Sequence, residues 1–417
     1  MGKLNHFLIF LNNPQAVYFC GQVIEGYVSV DLKEPMKMRG LRLLFEGRAN
    51  VHWTEEHTTG TGEDQSTETC DYSAKESYFS QILVLYGKAQ GAGGDNPVHP
   101  AGQHAYPFRL QLPYGIPSSF ETTVGQVRYT ISGVIDKPWK FDHKTKAAFT
   151  VINLLDLNRE PLALSVPQGQ NSKTLCCLCC KSGPIEAVCR LERMGYVPGE
   201  AIVINAEITN GSSRKMSCSY AELSQVISFH ASSKTKSSTT VIARVNHSEI
   251  APGGSDVWSG DRLHIPPIPP SRLDGCNIID ITYILKFCVD PSGPAFDLQI
   301  PLNILIGSIP HQKVVERHAN FGPPGGASGF APTMNPSSPA MPPAPGATPS
   351  APVLPPNMPP PSYAECVSGK VTIRDEEDNE YTGGNLEYTP RYTYYNWEDS
   401  SNQNPKWSPP FIVDRPT

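Results

Sequence analysis

Hydrophobic and polar residues alternate along most of the first 310 positions of the chain. Clear examples span residues 41–45, 127–131, 202–208 and 298–306, where every second side chain is apolar. A period of two places one face of a strand on a core and the other towards water. Because no long stretch keeps the 3.6-residue period of a helix, the pattern predicts an all-β fold of antiparallel sandwiches.

Two sequence elements recur in the same order in the two halves of this region. Residues 18–24 (Tyr-Phe-Cys-Gly-Gln-Val-Ile) resemble residues 196–202 (Tyr-Val-Pro-Gly-Glu-Ala-Ile), and residues 127–136 resemble residues 281–290. The alternation lapses between the two copies. The repeat therefore predicts two immunoglobulin-type sandwich domains of the same design, separated by a linker.

The character of the chain changes after residue 310. Of the 40 residues from 322 to 361, 15 are proline, which lacks the backbone donor that a sheet needs. We therefore expect a disordered, proline-rich tail with polyproline II bias. The predicted organisation is a sandwich over 1–158, a cysteine-containing linker over 159–183, a sandwich over 184–310 and a tail over 311–417.

Charge and hydropathy narrow the classes of function. The chain carries 34 Lys and Arg against 40 Asp and Glu, a formal net charge of −6. Because nucleic-acid binding requires a clear basic excess, nucleic acid is not expected as a partner. No apolar run approaches the ~20 residues of a membrane span, and the first residues lack a signal-peptide pattern. We therefore expect a cytoplasmic protein whose eleven cysteines are reduced.

Two tetrapeptides of the tail predict binding to other proteins. Proline-rich ligands are recognised by aromatic grooves because the extended chain loses little entropy on binding. In a Pro-Pro-x-Tyr ligand the prolines stack in the groove and the tyrosine fills a separate pocket. The two tetrapeptides lie within fifteen residues of each other, which favours two functional motifs over a chance product of the proline content. The two tetrapeptides are Pro349-Ser350-Ala351-Pro352 and Pro360-Pro361-Ser362-Tyr363.

A third segment, residues 389–392, keeps Pro390 and Tyr392 but has Thr389 where the first proline would stand. We treat it as a weak second ligand of the same type. A degenerate site without function is the alternative reading of this segment.

A cysteine cluster lies in the predicted linker. Zinc does not fit, because a second pair of ligands at a regular spacing is missing. Reversible S-acylation fits an apolar cluster next to a basic residue on an inter-domain loop. Small apolar residues in an edge strand or linker fit equally well. The cluster comprises Cys176, Cys177, Cys179 and Cys180.

A basic run separates two predicted strands of the first domain. It would suit contact with anionic lipid or with a phosphorylated receptor tail, and a solvated loop is the alternative. The acidic residues 375–378 are expected to be a solvated stretch. The lysines of the basic run are Lys137, Lys140, Lys144 and Lys146.

Signatures of catalysis are missing from the sequence. We find no Gly-rich phosphate loop, no His-Glu-x-x-His and no Gly-x-Ser-x-Gly. The sequence therefore predicts a protein that is not an enzyme, with no catalytic residue, no metal and no cofactor.

Taken together, these features resemble the α-arrestin family. The resemblance lies in the duplicated sandwich, in Tyr196–Glu200, in residues 116–120 and 266–271, and in the two tail motifs. It implies that the sandwiches engage membrane-protein cargo such as receptors. It further implies that Pro360, Pro361 and Tyr363 recruit WW-domain HECT ubiquitin ligases. The Pro-Ser-Ala-Pro motif is implied to bind the UEV-domain subunit of ESCRT-I and to promote vesicle budding.

The same resemblance predicts the setting of the protein. It implies a peripheral location at the inner face of the plasma membrane, with endosomes, budded vesicles and other arrestins as further sites and partners. The alternative is a trafficking scaffold similar to the arrestin-fold subunit of retromer, in which the sandwiches bind coat subunits and the tail is incidental. Because sandwich folds host many functions, the fold alone does not decide between them.

Overall fold

The computed structural model describes residues 3–59, 66–177, 180–320, 362–375 and 377–397. The predicted all-β fold is confirmed, since strands build two consecutive sandwich domains in these ranges. The α-helix of the described residues, α1 (Gln312–Asn320), is nine residues long and follows the second domain.

The first sandwich, the N-domain, contains eleven strands in the described part of the chain. They are β1 (Leu4–Leu11), β2 (Val17–Phe19), β3 (Val23–Leu32), β4 (Met36–Lys37), β5 (Gly40–Thr59), β6 (Ser66–Gly87), β7 (Val98–His99), β8 (Gly102–Gln111), β9 (Phe120–Glu121), β10 (Gly125–Asp136) and β11 (His143–Ile152). One sheet has the order β1-β3-β8, and the other β2-β11-β10-β5-β6. The core lies between them, because alternating residues such as Leu41, Leu43 and Phe45 point inward and are at most 1% exposed.

The second sandwich, the C-domain, follows the short 3₁₀ turn Leu157–Arg159. Its strands are β12 (Gln168–Cys177), β13 (Cys180–Leu191), β14 (Gly195–Tyr196), β15 (Ala201–Asn210), β16 (Met216–His230), β17 (Thr235–Asn246), β18 (Ser255–His264), β19 (Ile279–Pro291) and β20 (Leu298–Ile306). One sheet has the order β12-β13-β15-β18, and the other β14-β20-β19-β16-β17.

The two domains repeat one design, as the sequence repeat predicts. In each, a short strand carrying the repeated tyrosine pairs in parallel with the last strand of the domain, β2 with β11 and β14 with β20. A second buried tyrosine makes the same bond in both copies. The Tyr129 hydroxyl donates to Pro117 O at 2.6 Å, and the Tyr283 hydroxyl donates to Pro269 O at 2.7 Å. Segments 116–120 and 266–271 therefore supply the same acceptor in each domain.

Glu200 closes the repeated element of the C-domain. Its carboxylate accepts two hydrogen bonds from the Arg193 guanidinium, at 3.1 and 3.0 Å, and one from Val197 N at 2.8 Å. Both charged side chains are almost completely buried. A buried carboxylate is tolerated here because its lone pairs are satisfied by a fixed counter-charge and a backbone donor.

The linker predicted over residues 159–183 is largely a β-hairpin. Residues 168–177 form β12, which pairs with β13 from Gln168–Arg190 onwards and forms the outer edge of its sheet. Its inward alternation is weak because this edge strand is only partly covered and carries polar residues such as Asn171, Ser172 and Lys173, although Leu175 is buried. The repeating apolar face that would have identified the strand is therefore missing.

The described residues beyond 310 also depart from the predicted tail. The helix α1 packs Val314 and Val315 against the body, each 5% exposed. Residues 362–375 and 377–397, which we call the strap, run back over both domains as short strands. These are β21 (Ser362–Glu365), β22 (Val371–Thr372), β23 (Thr382–Gly384), β24 (Glu387–Tyr388) and β25 (Arg391–Tyr394).

Candidate functional site

The strap contains the tyrosines of the two predicted tyrosine-containing motifs, Tyr363 and Tyr392. Its first strand, β21, pairs antiparallel with β25, so that Tyr363 lies opposite Thr393. The hydroxyl of Ser362 donates to Tyr394 O at 2.8 Å, and Glu365 pairs with Arg391 at 3.1 Å. The strap therefore begins as a closed two-stranded ribbon.

Tyr363, the tyrosine of the Pro-Pro-x-Tyr motif, is half-buried in this ribbon. Its ring lies 6.4 Å from the ring of Phe19, measured between centroids. Burial raises the pKa of its hydroxyl. Pro360 and Pro361, and the whole of the Pro349–Pro352 motif, lie outside the described residues. Within the described chain, the ligand tyrosine is thus held against the sandwich.

Tyr392, the tyrosine of the weak second motif, is a core residue. It is 1% exposed, and its hydroxyl donates to Ser119 O at 2.9 Å. The carbonyl of Pro390 accepts a hydrogen bond from Cys366 N at 2.9 Å. In this fold neither Pro390 nor Tyr392 is available to a WW domain, so the weak second ligand is corrected to a structural anchor of the strap.

The strap also fastens the junction between the domains. Tyr395 is 1% exposed, its hydroxyl donates to Ser308 O at 2.7 Å and its N–H donates to Pro198 O at 3.0 Å. The close approach requires glycine at position 199. Gly199 has φ +96°, and a Cβ there would lie 1.9 Å from Tyr395 O. Residues 196–200, the C-domain copy of the repeated element, therefore bind the end of the strap.

The acidic stretch of the strap covers half of the basic run. Lys146 is mostly buried and donates to Asp375 at 2.7 Å and to Asp378 at 2.8 Å, while Arg48 pairs with Asp375 at 3.0 Å. Burial opposes ionisation of Asp375, but the hydrogen bonds from Lys146 and Arg48 outweigh it and lower its pKa. Lys144 Nζ donates to Glu377 O at 2.6 Å. The acidic stretch, which we expected to be solvated, therefore provides the counter-charge of Lys146. Lys144 and Lys146 both have hydrogen-bond partners within the strap.

Lys137 and Lys140 belong to the other half of the basic run, in the turn between β10 and β11. Lys140 is exposed, and Lys137 is partly exposed with its Nζ 2.9 Å from His143 Nε2. Between these lysines and just after them lie Trp139 and Phe141, which are 97% and 70% exposed. The alternation of aromatic residues with lysines in this turn is visible in the sequence. From the sequence we considered only the charges and did not identify Trp139 and Phe141 as candidate surface residues.

The cysteine cluster lies at the end of the β12–β13 hairpin. In the backbone register, Cys176 is opposite Lys181 and Cys177 is opposite Cys180. The side chains of residues 176–182 and the turn residues 178 and 179 are outside the described part of the structure. S-acylation of Cys176, Cys177, Cys179 and Cys180 therefore stays a prediction.

A titratable cluster in the C-domain centres on His247. Its ring stacks on Trp258, with centroids 4.0 Å apart, and its two nitrogens face Asp256 at 3.0 Å and Asp261 at 3.1 Å. Burial opposes protonation, but the hydrogen bonds with Asp261 and Asp256 outweigh it and raise the pKa of His247. In the described part of the chain, no cluster of three or more His, Cys, Asp or Glu has the arrangement of a metal site. Nor does any described helix combine the length and apolarity needed to cross a membrane.

Comparison with known proteins places both sandwiches in one family. Residues 7–158 match the model of the arrestin (or S-antigen) N-terminal domain, and residues 181–311 match that of the C-terminal domain. Human arrestin domain-containing protein 4 is 32% identical over 371 residues, 87% of this chain and 86% of that protein. Arrestin domain-containing protein 17 of Caenorhabditis elegans is 30% identical over 347 residues, 80% of this chain and 77% of that protein. Human thioredoxin-interacting protein is 29% identical over 308 residues, covering 73% and 75%.

Proposed function

The chain belongs to the α-arrestin family and is an arrestin-fold adaptor, and from this premise we propose that it links membrane cargo to ubiquitination and budding machinery. Pro360, Pro361 and Tyr363 recruit WW-domain HECT ubiquitin ligases. Residues Pro349–Pro352 recruit the UEV-domain subunit of ESCRT-I. The two sandwiches bind membrane-protein cargo, whose ubiquitination, transport and degradation follow.

The observation that carries the proposal is the position of the Pro-Pro-x-Tyr motif. Its tyrosine lies in the first strand of the strap, beside the exposed Ser362, where the chain reaches the N-domain surface. A ligase bound at this point is tethered directly beside the domains that hold the cargo. Tethering raises the effective concentration of one bound partner near the other, without new contacts between them.

The location of the protein follows from these partners. A cargo-bound adaptor lies at the inner face of the plasma membrane, and recruitment of ESCRT-I there promotes outward vesicle budding. Endosomes and budded vesicles are further sites in this proposal. No residue of the chain acts as a catalytic group, because the chemistry belongs to the recruited ligase.

Affinity capture from a detergent lysate tests the proposal. The full chain is compared with Tyr363→Ala and with Pro352→Ala. Tyr381→Ala is the matched control for the first, because Tyr381 is an exposed tyrosine of the strap outside the motif, and Pro345→Ala is the control for the second. We expect loss of the ligase only with Tyr363→Ala and loss of ESCRT-I only with Pro352→Ala.

A captured set that neither substitution changes would contradict the proposal. If cargo sorting also fails after deletion of residues 1–310 but survives Tyr363→Ala, the sandwiches act as a retromer-type scaffold instead. The two results together separate an adaptor that works through its tail from one that works through its domains alone.

A further inference from the structure

The tip of the N-domain presents aromatic side chains to solvent. The tip loop, residues 137–142, connects β10 to β11, and Trp139 is 97% exposed at its apex. Trp139 also has φ +62°, a left-handed conformation that a bulky L residue adopts only at an energetic cost. Phe141, 70% exposed, stacks loosely on the Tyr381 ring at 6.4 Å between centroids. The backbone of Trp139 is therefore strained while its large apolar ring remains exposed to water.

The base of the tip loop is rigid. Asp136, the last residue of β10, pairs with Arg39 at 2.8 Å and with Arg42 at 2.5 Å. Within the loop, Lys137 N donates to Asp142 Oδ1 at 3.0 Å, and the Asn379 side chain donates to Asp142 O at 3.2 Å. Both ends of the loop are therefore fastened, and Trp139 lies between them.

Positive charge surrounds these rings. An open groove of about 1180 Å³ beside the loop is lined by Lys3, Lys37, Lys137 and Lys140. Lys3 is paired with Glu34 at 3.4 Å, whereas Lys37, Lys137 and Lys140 have no carboxylate within ion-pair distance among the described residues. Burial, together with the charge of Lys140, lowers the pKa of Lys137. The charge of Asp142 opposes this shift, so the groove holds three lysines that lack an ion-pair partner among the described residues, and one of them lies within the field of a carboxylate.

We propose that the tip loop and its groove form a membrane-docking site for an anionic phospholipid surface. Trp139 and Phe141 insert at the level of the headgroups, where amphipathic rings are favoured, and the free lysines contact the anionic lipids. The strap limits the free charge beside the loop to part of the basic run, because Asp375 and Asp378 neutralise Lys146, while Lys144 donates to the backbone carbonyl of Glu377 and keeps its charge.

The exposed rings favour a lipid surface over a phosphorylated peptide. A phosphate group needs cationic donors, which the groove alone would supply. It gives no reason for a tryptophan that is 97% exposed in the middle of the loop. A membrane interface accommodates both features, the apolar ring and the flanking lysines.

Vesicle flotation of the full chain tests the proposal. The probes are vesicles of phosphatidylcholine with about 30 mol % phosphatidylserine, and vesicles of phosphatidylcholine alone. We expect binding to the anionic vesicles only, weakened by raising the salt from about 0.1 to about 0.5 M. Trp139→Ala should reduce the partition coefficient about tenfold. Lys37→Gln with Lys140→Gln should reduce it about 25-fold, roughly fivefold for each lysine.

Matched variants in the C-domain control for exposure and for charge. Phe296 is 90% exposed beside Lys173, so Phe296→Ala removes a comparable exposed ring. The pair Lys215→Gln and Lys236→Gln removes the same net charge from the C-domain. Both controls should keep full vesicle binding. Trp139→Phe should also bind to the anionic vesicles. Subtracting its tryptophan fluorescence spectrum from that of the unmodified chain isolates the emission of Trp139, which should shift to the blue when anionic vesicles are added.

Membrane docking rests on the proposed function only for the location of the protein at a membrane. Because the flotation assay contains no ligase and no ESCRT-I, the docking proposal and the recruitment proposal can fail independently. Equal binding to neutral and anionic vesicles would overturn the docking proposal, as would equal losses with Trp139→Ala and Phe296→Ala. It would also be overturned if a phosphoserine peptide bound the groove while the vesicles did not.

Discussion

The strap should weaken ligase binding by holding Tyr363 against the N-domain. A WW domain needs the tyrosine ring free and the preceding prolines extended, so β21 must separate from β25 before it binds. In the folded chain, Tyr363 is paired with Thr393 and packed beside Phe19. The apparent affinity is then the intrinsic affinity multiplied by the fraction of molecules in which β21 is open.

The cost of opening β21 can be worked from the structure. For four residues, the net gain from the ladder hydrogen bonds and the backbone entropy regained on release are of similar size and roughly cancel. The exposed pair of Arg391 and Glu365 adds little. Burial of about half of the Tyr363 ring remains, worth about 1–1.5 kcal/mol. The full chain should therefore bind a WW domain about five- to tenfold more weakly than the free motif.

Isothermal titration with one WW domain measures this ratio. The ligands are the full chain and a peptide spanning residues 355–366. Phe19→Ala removes the ring beside Tyr363 and should move the affinity of the full chain towards that of the peptide. Phe10→Ala, which removes another partly exposed ring of the N-domain, should leave it unchanged. Equal affinities of peptide and full chain would refute the reasoning.

Three further predictions concern stability. Gly199→Ala should destabilise the chain by about 2–3 kcal/mol and expose the strap to protease, whereas Gly253→Ala, at φ +69° with no neighbour within 4 Å, should cost only about 1 kcal/mol. Glu200→Gln should cost about 3 kcal/mol in denaturant unfolding because it leaves the buried charge of Arg193 without its counter-charge, while Glu249→Gln at an exposed pair should leave the free energy of unfolding nearly unchanged. Because the pKa of His247 is raised in the folded state, its stabilising contribution is complete below the unfolded value of 6.5 and is lost as the pH rises through the folded value. The difference in unfolding free energy between the unmodified chain and His247→Gln should therefore shrink as the pH is raised, and a constant difference would contradict it.

The sandwiches could be predicted because each of their strands carries its own evidence. In β20, all five inward residues from Leu298 to Ile306 alternate without interruption, and all are at most 5% exposed. The repeated Tyr129 and Tyr283 were visible for the same reason, since each lies within a segment in which apolar residues alternate. Local sequence suffices where a strand shows one whole face to the core.

The strap could not be predicted in this way. Tyr388, Tyr392 and Tyr395 are almost fully buried, yet their spacing of four and three residues fits no strand face. Each inserts singly into a site that the sandwiches have already formed, so no local period results. The partners of Asp375 lie more than 200 positions earlier in the chain, and a charge run alone does not reveal a counter-charge at that distance.

The contacts of the strap differ in strength, and this difference separates the two proposed activities. The residues of β21 itself are exposed or half-buried, whereas Tyr392 and Tyr395 are each 1% exposed and hydrogen-bonded at their hydroxyls. The least buried part of a structure opens first, so β21 can separate while the tyrosine anchors stay in place. The pairing of Lys146 with Asp375 and Asp378 then persists, and so does the free charge at the tip loop. Ligase binding at Tyr363 should therefore leave membrane docking at Trp139 intact, which is the order of events that an adaptor working on a membrane requires.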